Sequence, residues 1–126
     1  MTIIHESEVA EMEHPGRFMR WLVNEDSLQA KNLSVCLIRV LPGETVRPAH
    51  SHPNSEELIY IISGSGKVMI ENEVSEIRAG SAILFGQGKI HMLKNSGDIE
   101  MKVICFFAPA TNVDNYRTFE DVFFPG

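Results

Sequence analysis

Eight short apolar runs, each bounded by turn-forming residues, leave little freedom in what this chain can fold into. "RFMRWLV", "LSVCLIRVL", "ELIYIIS", "GKVMIE", "VSEIRA", "SAILF", "IHMLKN" and "IEMKVICFFA" all have strand length. They are rich in the β-branched and aromatic residues that suit a pleated, half-buried surface. Between them stand "LPGE", "SGSG", "ENE", "RAGS", "FGQGK" and "NSGD", whose Gly, Pro, Asn and Asp favour tight turns. No long helical period separates the strands. Such spacing predicts an all-β barrel or sandwich. "LSVCLIRVL" and "MKVICFF" are apolar on both faces, so both sides of these strands are expected to be covered, one by the barrel interior and the other by a second surface.

A length of 126 residues suits one domain, 1–126, with enough chain to bury a core. No linker or low-complexity segment interrupts it. The chain carries 11 basic against 17 acidic residues, a net charge of −6. No basic stripe of the kind that phosphate contacts need is visible, so no nucleic-acid partner is expected. Cys36 and Cys105 lie far apart inside apolar runs and read as buried free thiols of a reducing compartment. The acidic N-terminus lacks the charge and apolar core of a signal peptide. No run approaches the roughly 18 apolar residues of a membrane span. A cytoplasmic protein without a membrane partner is expected. Tyr116, Phe119, Phe123 and Phe124 follow the last clear strand and are expected to pack as a tail on the chain's own barrel.

The chemistry gathers in "HSHPNSEE". Residues two apart on an extended strand point to the same face, so His50 and His52 project together. Glu57 opens the next strand, and His91 stands at the start of a later one. Three imidazoles and a carboxylate buried together are costly without a partner, and one divalent cation would satisfy all four. Ile59 and Ile61, which share the strand face of Glu57, and Leu93 are expected to wall a small-molecule pocket. Arg39 interrupts an apolar strand face and either lines the pocket or reaches solvent. His5 and His14 read as surface residues, Tyr60 as an exterior aromatic, and Phe18 and Trp21 as core or interface.

These residues carry a resemblance to the cupin superfamily. Its first motif runs from a glycine to a His-x-His pair, a glutamate and a further glycine; Gly43, His50, His52, Glu57 and Gly64 follow it, with one extra residue before His50. Its second motif is matched by Gly80, Gly88, His91 and Asn95, with Gly86 where the family usually has proline. Glycine lacks proline's fixed φ, so the turn before His91 should be looser. The resemblance covers about residues 33–109 and implies a double-stranded β-helix, or jelly-roll, barrel. It also implies that His50, His52, Glu57 and His91 are metal ligands, with Glu56 a solvated neighbour of Glu57. Arg47 stands where oxalate-converting members carry a substrate-binding arginine. Cupins commonly pair by exchanging edge strands, so a homodimer is expected.

A donor set of three nitrogens and one oxygen suits Fe, Mn, Ni, Co or Zn. On an octahedral ion it leaves two positions for an oxygen-rich small molecule, and the metal acts as Lewis acid and template. The expected function is a metal-dependent enzyme of dioxygenase, isomerase, lyase or decarboxylase type. The alternative is a non-catalytic small-molecule-binding or sensory barrel.

Overall fold

The computed structural model describes residues 2–125. Eleven strands account for its regular structure: β1 (Met12–His14), β2 (Arg17–Val23), β3 (Ser34–Val40), β4 (Thr45–Ser51), β5 (Glu56–Ser63), β6 (Ser65–Ile70), β7 (Glu73–Arg78), β8 (Ala82–Phe85), β9 (His91–Lys94), β10 (Met101–Ala108) and β11 (Arg117–Phe119). Only two single 3-10 turns, Glu6–Glu8 and Val113–Asn115, are helical among the described residues.

The strands form two antiparallel sheets, one ordered β1-β2-β3-β10-β5-β8 and the other β11-β4-β9-β6-β7. From β3 onward the chain passes repeatedly from one sheet to the other, as a double-stranded β-helix does. The barrel is closed by packing the two inner faces together. Along β5 the alternation is strict: Glu57, Ile59 and Ile61 are buried while Leu58, Tyr60 and Ile62 face outward. Val40, Val103, Met101 and Phe107 meet these inner residues in one continuous core.

All eight runs read from the sequence are strands. Strands β1, β4 and β11 are additional. Strand β4 was concealed by Pro48, since proline removes a ladder donor and argues against a strand. The fold accommodates it in an irregular stretch: the β4–β9 register shifts between Val46 and His50, so Pro48 falls outside regular pairing. Strand β11 has only three residues and exists because the tail folds back along β4, pairing Arg117 with Ser51 and Thr118 with His50.

The double-sided cover expected for β3 is present, with Val35 and Leu37 buried as well as Cys36 and Ile38. For β10 it is not. The N-terminal segment is tied across the β2–β3 side through Arg20 to the Glu6 and Val9 carbonyls, Arg39 to Glu11, and Lys102 to Glu6. It stops there, leaving Phe106 on β10 exposed beside Leu58, Tyr60, Ile62 and Leu84. Most of the tail packs on its own barrel, where Phe119, Val122 and Phe124 cover Ala49, Met69 and Met92 on the outer face of the second sheet, but Phe123 points away and is 71% exposed. Cys36 and Cys105 are free, buried and directly opposite each other across β3 and β10.

Candidate metal centre

The second sheet supplies His50 from the end of β4, His52 just beyond it, and His91 from the start of β9; the first sheet supplies Glu57 from β5. Pairing of His50 with His91 across the two strands sets two of the imidazoles side by side. One donor atom from each of the four residues lies within 4.8 Å of every other, and all four side chains are buried. Ring centroids of His50 and His91 are 4.5 Å apart, and His91 is held flat against Phe85 at 3.9 Å.

The orientation of two rings is set by the backbone. His50 Nδ1 contacts the Pro48 carbonyl at 3.1 Å and His91 Nδ1 the Lys89 carbonyl at 3.0 Å. A carbonyl can only accept, so Nδ1 carries the proton and Nε2 of the neutral ring is left with a lone pair. Such a contact is how a metal-ligating histidine is usually aimed.

His52 Nε2 and His91 Nε2 approach Glu57 Oε1 at 2.8 and 3.1 Å. Neither contact has hydrogen-bond geometry, and all three atoms are buried without a partner. Buried polar atoms are almost always satisfied, so a knot of converging unpartnered donors is unusual. A cation fits it: three lone pairs and a carboxylate facing one point are what a metal ion needs. The cluster could hold one ion. Burial, with the neighbouring His91, lowers the His50 pKa to about 3, which favours the neutral, ligating form. For Glu57 burial acts to raise the pKa, but the His52 and His91 rings outweigh it and hold the carboxyl below its ordinary range.

Ile59 and Leu93 line the cavity beside these donors. Ile61 is fully buried in the core and does not reach that lining. The two arginines singled out from the sequence are not brought to the cluster. Arg47 points outward from β4 and pairs with Glu44 at 3.1 Å. Arg39 faces the outside of β3, lies over the Phe18 ring and pairs with Glu11 and Glu100. Its alternation explains this, since Ile38 and Val40 occupy the inward phase.

Two residues not assigned from the sequence line the cavity instead. Arg17, the first residue of β2, takes the inward phase shared by Met19 and Trp21. An arginine in the apolar phase of "RFMRWLV" was the available signal. Tyr116 arrives from the tail: its ring stacks on His50 at 5.0 Å with planes 4° apart and stands edge-on to His52 at 4.3 Å. No local pattern announces it, because its place depends on β11 returning to β4. With Tyr116 seated, the cavity measures about 30 Å³, room for a water molecule or two.

The turn before His91 is braced despite Gly86. Gly88 N donates to the His52 carbonyl, and Gln87 Nε2 to the Pro53 carbonyl. Asn95 pins the following turn, donating through Nδ2 to the Val40 and Ile99 carbonyls and accepting at Oδ1 from Gly97.

The model of the cupin domain matches residues 36–107. The tetracenomycin polyketide synthase protein TcmJ of Streptomyces glaucescens is 29% identical over 103 residues, spanning 82% of this chain and 68% of that protein. In two further curated relatives the match spans 54% and 56% of their length. The polyketide cyclase RemF of Streptomyces resistomycificus superposes with a TM-score of 0.76 at 20% identity, over 99% of this chain and 87% of that one. A predicted oxalate decarboxylase from Thermotoga maritima gives 0.76 at 19%, over 85% and 98%. At these identities the solved structures show a shared fold. Both sequence motifs, the crossed sheets and the matched segment agree: the chain belongs to the cupin family.

Proposed function

We propose that this cupin is a metal-dependent enzyme in which His50, His52, Glu57 and His91 hold one divalent transition-metal ion and an oxygen-rich small molecule reacts beside it. The carrying observation is the set of buried, converging donor atoms on these four residues, with those of His52, Glu57 and His91 unpartnered. An ion bound there would supply Lewis acidity and a template for an oxygen ligand.

The chain's own residues do the rest. Pro48 and Lys89 carbonyls fix the tautomers of His50 and His91. Phe85, Ile59, Leu93 and Phe107 keep bulk water from the donors, which strengthens every electrostatic contact inside. Tyr116 closes the mouth. The setting suits dioxygenase, isomerase, lyase or decarboxylase chemistry on a compact ligand.

Elemental analysis of protein purified without chelator, beside His91→Ala, tests the reading. About one equivalent of transition metal in the wild type and much less in the variant is the expected result. Equal metal in both, even after loading, refutes it. Oxygen uptake by the loaded protein then separates dioxygenase chemistry from the other classes.

An exposed apolar face supports the homodimer expected from the sequence. Leu58, Tyr60, Ile62, Leu84 and Phe106 lie on the outer face of β5, β8 and β10 and are 39–56% exposed. Exposed apolar side chains gathered on one face are the kind of surface that a protein partner covers. A second copy related by a two-fold axis would cover both patches at once. Light scattering should give a dimer for the wild type and a monomer for Leu84→Asp; a monomeric wild type refutes the pairing.

A further inference from the structure

Arg17 is the one basic side chain among the cavity's lining residues, and only 8% of it is exposed. Its placement is enforced. Gly16 has φ +81°, and a Cβ there would stand 1.8 Å from the Thr45 carbonyl oxygen. The β1–β2 hairpin therefore lies tight against β4, and the residue after Gly16 is turned into the barrel. Arg17 Nη1 donates to the Pro15 and Arg47 carbonyls at 3.2 and 3.1 Å.

No carboxylate pairs with this guanidinium among the described residues. Only Nη1 is hydrogen-bonded there, and Arg17 borders both the cavity and an outer groove beside Glu13 and Glu44. Buried charges are normally paired, because an uncompensated one is costly. The other charged residue lining the cavity is Glu57, which is turned toward the imidazoles. With a divalent ion in place, Glu57 would offset one positive charge and Arg17 would restore it. The cavity would then keep the ion's full double charge inside walls of Ile59, Leu93, Val46 and Phe107.

We infer that the ligand of this cavity is an anion carrying a carboxylate, and that Arg17 receives that carboxylate while a neighbouring oxygen faces the metal donors. A guanidinium presents paired N–H groups in a planar fork that matches a carboxylate. A hydroxy- or oxo-carboxylate has both features. This rests on the reading of the four donors as a metal site and adds the substrate class to it. The ligand enters as the Tyr116 ring withdraws, since the closed cavity is smaller than any such molecule.

Cobalt-loaded protein tests the inference, because its visible absorption changes when a ligand reaches the ion. Glycolate and glycolamide are the probes: they share size and shape and differ by the charge. Wild type should bind glycolate about 10- to 100-fold more tightly, and Arg17→Gln should erase about tenfold or more of that preference while still taking up one cobalt. If Arg17→Gln fails to take up cobalt, Arg17→Met, which keeps the length of the side chain without its charge, carries the same comparison. An Arg17 that merely ties hairpin to strand would change stability and leave the ratio alone. A ratio unmoved by the substitution overturns the inference with the metal reading intact, as does a wild type that binds both probes alike. A wild type that takes up no cobalt overturns both.

Discussion

Replacing Tyr116 by alanine should open the candidate metal site without dismantling it. The ring stacks on His50 and meets His52 edge-on, and it belongs to a short strap. One end of the strap is clasped where Ser34 Oγ donates to the Thr111 carbonyl and accepts from its N–H; the other is paired to β4 as β11. Removing a fully buried aromatic side chain costs about 3–5 kcal/mol. Tyr116 is only half-buried, so about 2–3 kcal/mol of closing free energy is at stake. If an ion leaves only when the strap lifts, that loss raises the open population about 30- to 150-fold. The assay is transfer of bound zinc or cobalt to a chromogenic chelator in excess. Tyr116→Phe keeps the stacked ring and should stay within about threefold of wild type. Val103→Ala, a core truncation of similar cost distant from the strap, separates opening from general loss of stability. A Tyr116→Ala rate equal to wild type, or matched by Val103→Ala, would falsify the idea that this ring guards the site.

Acid should weaken the metal-free chain. With its folded pKa lowered from the ordinary 6.5 to about 3, His50 takes up its proton more readily in the unfolded state. Its contribution is therefore whole above pH 6.5 and lost as pH falls toward 3, at up to about 1.4 kcal/mol per unit. Urea unfolding after chelation should show about 2 kcal/mol less stability at pH 5 than at pH 6.5, with a flatter profile in His50→Gln; a flat wild-type profile refutes this. Glu57, also held low, adds a loss in the same direction below its ordinary range. Two glycines should respond oppositely to alanine. At Gly66 a Cβ would stand 2.0 Å from the Lys94 carbonyl oxygen and 2.4 Å from Met101 Cε, forcing β6 and β9 apart, so a loss of several kcal/mol, about 3 or more, is expected. At Gly86 the nearest obstacle is the flexible Lys89 Cγ at 3.3 Å, so alanine should gain about 0.4–1 kcal/mol through the unfolded state; thermal unfolding of the pair decides both.

Much of this architecture is legible in the chain. The eight apolar runs are strands because their alternation and their turns agree, and agreement between local and global preferences is what makes a pattern readable. Residues 50, 52, 57 and 91 could be picked out because 50 and 52 share a strand face and all four fall on positions of the two motifs. The arginines show where reading by spacing stops. The resemblance offers Arg47, but it lies three residues before His50 and next to the inward Val46, so plain alternation along β4 turns it outward. Arg17 is placed inside by its phase with Met19, a cue that no spacing from the histidines contains. Tyr116 could not be found by any local rule, since its position depends on pairing between β11 and β4, some 66 residues apart in sequence from Ser51 to Arg117.

The division of the four donors between the sheets has a mechanical consequence. His50, His52 and His91 hang from one sheet and Glu57 from the other, so an ion bound by all four would act as a rivet through the sandwich. Loading should then stiffen the gap between the sheets as a whole. Slow amide exchange should extend to Ile59, Val103 and Ile38, residues that supply no metal donor but sit on the sheet whose spacing the rivet sets.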